Sequence, residues 1–124
     1  MLKEVNFIAM LTPADRYRHH HTRFRSDVIS FTVQYETRVA GRWLPVVRYD
    51  TRHGFAHRDL LDKKGEREKT PMFARDYNEA LTFAEYDIKS KWTMYKQHFL
   101  RGVWHGDTKE RVLYEEFWAQ YRVQ

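Results

Sequence analysis

One stretch, residues 76–102, constrains the fold most, because its apolar residues recur at helical spacing. Asp76 and Glu79 are spaced like the cap and third residue of a helix, and Gly102 supplies a stop. The segment is long enough for about seven helical turns, and the apolar stripe along it needs a broad apolar surface to cover it, so we expect one long helix packed on a sheet. The members of the stripe are Leu81, Ala84, Ile88, Trp92, Tyr95 and Phe99.

The preceding part of the chain has the period of a β-sheet. Residues 27–39 alternate between apolar and polar side chains, as a half-buried strand requires. Ala40-Gly41 predicts a tight turn, and Pro45 places the next strand near an edge or a bulge. The predicted strands are residues 27–39, 43–50, 55–62 and 66–70. Four residues of the first strand are expected to face the helix stripe: Ile29, Phe31, Val33 and Tyr35.

These patterns predict a single α+β domain over residues 1–124. We expect an antiparallel β meander of about four strands packed against a long amphipathic helix, with a shorter C-terminal helix after Asp107. Residues 1–26 are predicted to form a basic N-terminal arm, residues 27–70 the meander and residues 76–121 the helices.

Charge is distributed unevenly, although the net charge is only +5. Residues 1–58 carry ten Lys or Arg and five Asp or Glu, whereas residues 59–124 carry twelve of each. An Arg-rich basic half is typical of proteins that bind a polyanion, so RNA is the expected partner. The His triplet at 19–21 is expected to lie in the arm, solvated or facing phosphates. The predicted nucleic-acid contacts are Arg16, Arg18, Arg23, Arg25, Arg52 and Arg58.

Several function classes are excluded by what the sequence lacks. Without Cys there is no disulfide and no thiolate chemistry. There is no Gly-rich phosphate loop and no G-x-S-x-G motif, so we expect no nucleotide cofactor and no hydrolase nucleophile. No apolar run reaches the roughly 20 residues of a membrane span, and the first residues lack a signal-peptide pattern. The expectation is a cytoplasmic protein with no membrane partner.

The densest polar cluster is the segment 48–59, with three Arg, two His and two Asp between apolar flanks. If residues 51–54 form a four-residue loop, antiparallel pairing places Arg48 opposite His57, and Asp50 opposite Phe55. In this register Asp59 pairs with Val46, and Arg48, Asp50, His57 and Asp59 share one face of the sheet. His53 would then stand at the tip of the loop.

Three uses fit such a cluster. The first is metal-independent RNA cleavage, in which two His act as base and acid and Arg stabilises the phosphorane. The second is a metal site of Asp50, His53 and His57, which has the composition of two imidazoles and one carboxylate. The third is a structural network of ion pairs and hydrogen bonds that locks the hairpin. No metal is assigned in the favoured hypothesis, which makes Arg48, Asp50, His53 and His57 catalytic.

The segment from Val46 to Asp59 resembles a family of small prokaryotic proteins of unknown function that carry an RYDT-x-HG-x-x-HRD segment. A helix like the one that contains Asn78-Glu79-Ala80-Leu81-Thr82 follows in that family, and the resemblance covers residues 28–101. It supports the domain limits and implies no activity.

The Arg48-Tyr49-Asp50 segment and the His residues after it are more loosely similar to the TumE-type toxins of bacterial toxin–antitoxin pairs. That resemblance implies an RNA target and an antitoxin partner, and it carries over to Arg48, Asp50, His53 and His57. The leading hypothesis is thus an endoribonuclease of toxin type. The alternative is a non-catalytic module that binds nucleic acid or protein, in which the cluster is structural.

Overall fold

The computed structural model describes residues 1–102, which form one antiparallel sheet in chain order with a long helix on one face. The predicted α+β class is confirmed. The short C-terminal helix predicted up to residue 121 lies outside the described residues. The elements are β1 (Leu2–Thr12), β2 (Asp15–Phe24), β3 (Asp27–Val39), β4 (Arg42–Asp50), a 3₁₀ turn (Arg52–Gly54), β5 (His57–Leu61), β6 (Arg67–Pro71) and α1 (Tyr77–Arg101).

The sheet has six strands where the sequence predicts about four, because residues 2–24 form β1 and β2. β2 alternates with a period of two, as a half-buried strand should. Its inward residues include His19 and His21, which are buried, whereas Arg18 points outward and is exposed. Polar side chains at inward positions conceal the strand pattern, which is why this region reads as a basic arm in the sequence.

The central strand β3 supplies much of the core, as its alternation predicts. Phe31, Val33 and Tyr35 are buried in the apolar cluster that includes the helix residues. Ile29 is 44% exposed, contrary to the prediction that it faces the helix. The pairing of β2 with β3 slips at this point, since Ser30 pairs with Thr22 but Val28 pairs with Arg23. The bulge leaves Ile29 unpaired and outside the alternation.

The helix α1 begins and ends where its caps predict. The carboxylate of Asp76 accepts a hydrogen bond from the Glu79 N–H (2.9 Å), and Gly102 adopts the left-handed conformation (φ 72°) that ends many helices. Trp92 is only partly buried, with its ring 5.9 Å from that of Tyr35. The other members of the stripe are all buried: Leu81, Ala84, Ile88, Tyr95 and Phe99.

Asp87 occupies a buried position on α1 that the sequence does not predict. The spacing of Asp87 and Lys91 suggests an ion pair on the polar side of the helix, and their closest atoms lie 3.7 Å apart. Asp87 itself is fully buried, however, and accepts hydrogen bonds from the hydroxyls of Tyr49 and Tyr95. A polar network therefore joins β4 to the helix inside the core. Glu85 and Lys89, which have the same spacing in the sequence, form an ion pair at 3.4 Å.

The turn between β3 and β4 is the tight turn that Ala40-Gly41 predicts. Both residues have positive φ, 52° for Ala40 and 78° for Gly41, which is the signature of a type I′ hairpin turn. Within residues 1–102, no helix is both long and apolar enough to cross a bilayer.

Candidate functional site

The polar cluster lies where β4 and β5 pair, in a register two residues away from the one assumed. Asp50 pairs with His57, and Arg48 pairs with Asp59. The connection has six residues, because Thr51, Phe55 and Ala56 flank the 3₁₀ turn Arg52–Gly54. A shift of two preserves the side-chain alternation, so Arg48, Asp50, His57 and Asp59 still share one face, as expected.

His57 is locked in place by contacts at both ring nitrogens. Its Nδ1 donates a hydrogen bond to the carbonyl oxygen of Phe55 (3.2 Å), because a carbonyl can only accept. Its Nε2 lies 2.8 Å from Oδ1 of Asp50 and 3.6 Å from Oδ2 of Asp59. His57 is 1% exposed, Asp50 3% and Asp59 1%. The three side chains therefore form a buried group, which we call the Asp-His-Asp cluster.

Asp59 differs from Asp50 in its hydrogen bonding. Both carboxylate oxygens of Asp59 are buried, and within the described residues neither accepts a hydrogen bond. Nη1 of Arg67 lies 3.9 Å from Oδ2, at the limit of an ion pair, and the Arg67 side chain is half exposed. Asp50, by contrast, also accepts the N–H of Arg52 (3.1 Å). The carboxylate of Asp50 thereby fixes the start of the 3₁₀ turn.

His53 lies on this turn and outside the Asp-His-Asp cluster. Its side chain is exposed, and its ring centroid is 6.5 Å from that of His57. The backbone of His53 is left-handed (φ 69°, ψ 18°), a conformation uncommon for residues other than glycine. The structure thus separates the two predicted catalytic histidines into one buried and one exposed residue.

One row of side chains crosses the sheet on the face turned away from α1, which we call the polar face. In successive strands Arg18 pairs with Gln34, Gln34 with Arg48, Arg48 with Asp59, and Asp59 with Lys69. Directly paired residues point to the same side of a sheet, so Arg18, Arg48 and Lys69 line one surface. The Arg48 Nε donates a hydrogen bond to Oε1 of Gln34 (2.6 Å), which orients the guanidinium.

Glu36 orders Arg16 and Arg18 on the polar face. Its Oε1 accepts hydrogen bonds from Nε of Arg16 (2.7 Å) and Nε of Arg18 (3.3 Å). The guanidinium of Arg16 also stacks on the ring of Trp43, 4.0 Å from its centre. The Arg18 side chain remains 53% exposed, so it is ordered and still accessible to a ligand.

The other arginines of the predicted binding set lie elsewhere. Arg23 approaches Nε2 of His21 (3.3 Å), and Arg25 lies in the turn between β2 and β3. Arg52 is exposed on the 3₁₀ turn. Arg58 is buried and donates to the Tyr95 hydroxyl (3.3 Å), so its guanidinium is not available to RNA.

A second polar group, which the sequence does not predict, lies between β2 and α1. Nδ1 of His19 is hydrogen-bonded to the carboxylate of Glu85, and its Nε2 lies 2.6 Å from Nδ1 of His21. Burial and the Glu85 carboxylate raise the pKa of Tyr17 to about 12, so Tyr17 keeps its proton. The ring of Phe7 stacks on His19 at 4.5 Å. The H-x-H spacing in a strand, which puts both imidazoles on one face, is the signal that could have revealed it.

Comparison with known proteins identifies the family but no activity. The model of a domain of unknown function (DUF7718) matches residues 2–105, so the chain belongs to that family. No curated protein and no solved structure matches the chain. The match spans the whole sheet and α1, including the polar face and the Asp-His-Asp cluster.

Proposed function

We propose that this member of the family acts on RNA, which it binds through the sugar–phosphate backbone along the polar face. The observation that supports this most directly is the alignment of Arg18, Arg48 and Lys69 in one cross-strand row. Cations placed in a line along a surface fit a linear polyanion, and phosphate contacts supply most of the affinity of such complexes.

The arginine side chains are also held in place before RNA binds, which adds to this argument. Arg16 and Arg18 are held by Glu36, and Arg48 is held by Gln34. Side chains held before binding lose less conformational entropy when they meet a phosphate. A guanidinium also presents several N–H groups in a plane, which suits two phosphate oxygens at once.

The affinity for single-stranded RNA can be measured at several salt concentrations, from the fluorescence anisotropy of a labelled oligonucleotide. The test variant replaces Arg18, Arg48 and Lys69 with Gln. The control variant replaces Lys3, Lys63 and Lys64, which are also exposed, and so removes the same charge from other places. Each lost phosphate contact should lower the log–log salt slope by about 0.7, or about 2 for the test variant. Equal slopes for the two variants would remove the polar face from the interface.

A second proposal is that the protein also cleaves the RNA it binds. The conformation of His53 favours cleavage. Its exposed side chain is carried on a left-handed backbone, and backbone strain of this kind accumulates at functional sites. His53 would take the proton from a ribose 2′-hydroxyl, and the 2′-oxygen would attack phosphorus. The 5′-oxygen would leave with a proton from water, giving a 2′,3′-cyclic phosphate and a 5′-hydroxyl.

The neighbouring residues receive distinct roles in this proposal. Arg48 and Arg52 supply positive charge for the phosphorane. Asp50 and His57 act as positioning residues, since both are buried and Asp50 fixes the turn that carries His53. The two-histidine scheme expected from sequence is thereby reduced to one histidine that meets RNA.

The cleavage proposal is tested by incubating the pure protein with single-stranded RNA, with and without chelator. Cleavage that depends on His53 should fall about 10²–10⁴-fold in His53→Ala and persist in His20→Ala, a partly exposed histidine of β2. Cyclic phosphate ends should appear among the products. RNA that stays intact, or is cut equally by both variants, contradicts the proposal and leaves the alternative of a binding module.

The resemblance of the Arg48-Tyr49-Asp50 segment to TumE-type toxins supports an antitoxin protein as partner. Co-expression with the product of an adjacent gene, followed by purification of the pair, would test the partner. Growth inhibition relieved by that product is the expected result.

A further inference from the structure

We propose that the Asp-His-Asp cluster of Asp50, His57 and Asp59 is a binding site for a divalent transition metal ion, best fitted by Zn²⁺. One ligand atom from each residue lies within 4.8 Å of the others, in a buried site between β4 and β5. The proposal does not depend on RNA binding, because it concerns only what holds these three side chains together.

The hydrogen bonding of His57 carries the argument. Its Nδ1 bears the ring proton, because it donates to the Phe55 carbonyl. In the neutral ring, the lone pair of Nε2 then points at Asp50 Oδ1 (2.8 Å) and Asp59 Oδ2 (3.6 Å). In this neutral tautomer, three electron-pair donors would face one another with no hydrogen between them. A cation among them turns this repulsion into coordination, as buried charge requires.

Asp59 provides an independent observation. It is 1% exposed, and within residues 1–102 neither of its carboxylate oxygens accepts a hydrogen bond. The Arg67 guanidinium, 3.9 Å away on a half-exposed side chain, compensates little of that charge because solvent screens it. A buried carboxylate with two unused oxygens, directed at an imidazole lone pair, has the form of a metal ligand.

The donor set indicates the class of ion. One imidazole nitrogen with carboxylate oxygens suits Zn²⁺ and related first-row ions, whereas Mg²⁺ prefers oxygen ligands and retains water. The Nδ1–H bond to a backbone carbonyl is the outer contact that orients metal-binding histidines. Asp59 has two unused oxygens and could bind through both, which would complete four donors. The buried ion would then have a structural role, clamping β4, β5 and the 3₁₀ turn together.

The experiment titrates chelator-treated protein with Zn²⁺ by calorimetry and follows Tm in parallel. Wild type should bind one ion per chain and gain several degrees in Tm. Asp59→Asn should bind at least about tenfold more weakly and lose the Tm gain. Asp27→Asn removes an exposed carboxylate, and His53→Ala removes the ligand predicted from sequence, so both should bind like wild type. Equal binding of Mg²⁺ would overturn the assignment to a transition metal.

The His triplet 19–21 is the competing location for Zn²⁺, and NMR of the wild-type protein distinguishes it without any variant. Zn²⁺ should shift the ¹⁵N resonance of His57 Nε2 while Nδ1 keeps its proton. A shift confined to the triplet would overturn the proposal. So would a His57 ring that bears protons on both nitrogens and ignores Zn²⁺, since the cluster would then be an ion-pair network.

Discussion

Asp50 and His57 face each other across β4 and β5, with Oδ1 of Asp50 2.8 Å from Nε2 of His57. The same oxygen accepts the N–H of Arg52. One carboxylate therefore connects the sheet to the turn that carries the exposed His53. The two residues act as a pair inside the protein, and the proposed RNA cleavage by His53 would depend on the turn they support.

The first prediction is that the two histidines of this region differ in their effect on stability. His57→Ala leaves the carbonyl of Phe55 without its hydrogen-bond donor and opens a cavity between Asp50 and Asp59. The loss should be about 1–3 kcal/mol of unfolding free energy. His53→Ala removes only an exposed ring and should change it by less than about 0.5 kcal/mol. Urea melts of the two variants at neutral pH provide the comparison, and equal losses would contradict the buried role of His57.

The second prediction concerns backbone strain at His53. A residue with φ of 69° pays a steric cost that glycine avoids, so His53→Gly should stabilise the protein by about 0.5–1 kcal/mol. Ala40 is a matched position in the β3–β4 turn, with φ of 52° and no proposed function. Ala40→Gly should stabilise by a similar amount and leave RNA cleavage unchanged, whereas His53→Gly should abolish it. Thermal melts and the RNA assay on the same samples separate strain from chemistry.

How far the sequence predicts this structure depends on which side chains point inward. The β3 alternation and the caps of α1 identify their elements because apolar residues mark the buried side and Asp76 and Gly102 mark the ends. β2 is missed because His19 and His21 replace apolar residues at its inward positions. They are tolerated because they hydrogen-bond to each other and because His19 also bonds to Glu85, a residue of the distant helix α1.

The candidate site, too, is predicted from the sequence in part only. Period-two alternation correctly puts Arg48, Asp50, His57 and Asp59 on one face, since a register error of two residues preserves the face. The length of the turn decides which residues pair, and Arg52–Gly54 forms a 3₁₀ turn that the sequence does not reveal. Burial of His57 and exposure of His53 follow from that turn. For the same reason the proposed metal site contains Asp59, where the sequence suggests His53.

The third prediction compares two isoleucines that the sequence treats as equivalent. Ile88 is fully buried between α1 and the sheet, whereas Ile29 lies at the β-bulge and is 44% exposed. Ile88→Ala should cost about 2–5 kcal/mol, from lost burial and a residual cavity. Ile29→Ala should cost less than about 1 kcal/mol, because solvent fills the space. Denaturant melts of the two variants measure the free energy of unfolding. A large loss of stability in Ile29→Ala would mean that Ile29 belongs to the core.

The last prediction concerns acid stability and rests on Asp15, a buried carboxylate at the start of β2. Burial alone would raise its pKa, but hydrogen bonds from Thr12, Tyr35, Thr37 and Lys96 outweigh burial and leave the pKa below its usual value. The Tyr35 hydroxyl donates at 2.7 Å and the Thr37 hydroxyl at 2.9 Å.

A lowered carboxyl pKa stabilises the folded state fully where the group is charged in both states, and by a decreasing amount between the unfolded and the folded pKa. The contribution of Asp15 is therefore complete above its unfolded value of about 4, and it is lost as the pH falls through the lower folded value. Tyr35→Phe removes one donor while keeping the ring, so the acid limb should become shallower and stability at pH 7 should drop by about 1–2 kcal/mol.

Urea melts of wild type and variant between pH 7 and pH 3 measure both effects. Asp27→Asn, which removes an exposed carboxylate at the start of β3, is the control and should retain the wild-type pH dependence. If Tyr35→Phe and wild type lose stability in parallel below pH 4, the Asp15 network does not determine acid unfolding. A steeper loss in the variant would show the opposite sign and would mean that Tyr35 opposes the charge on Asp15.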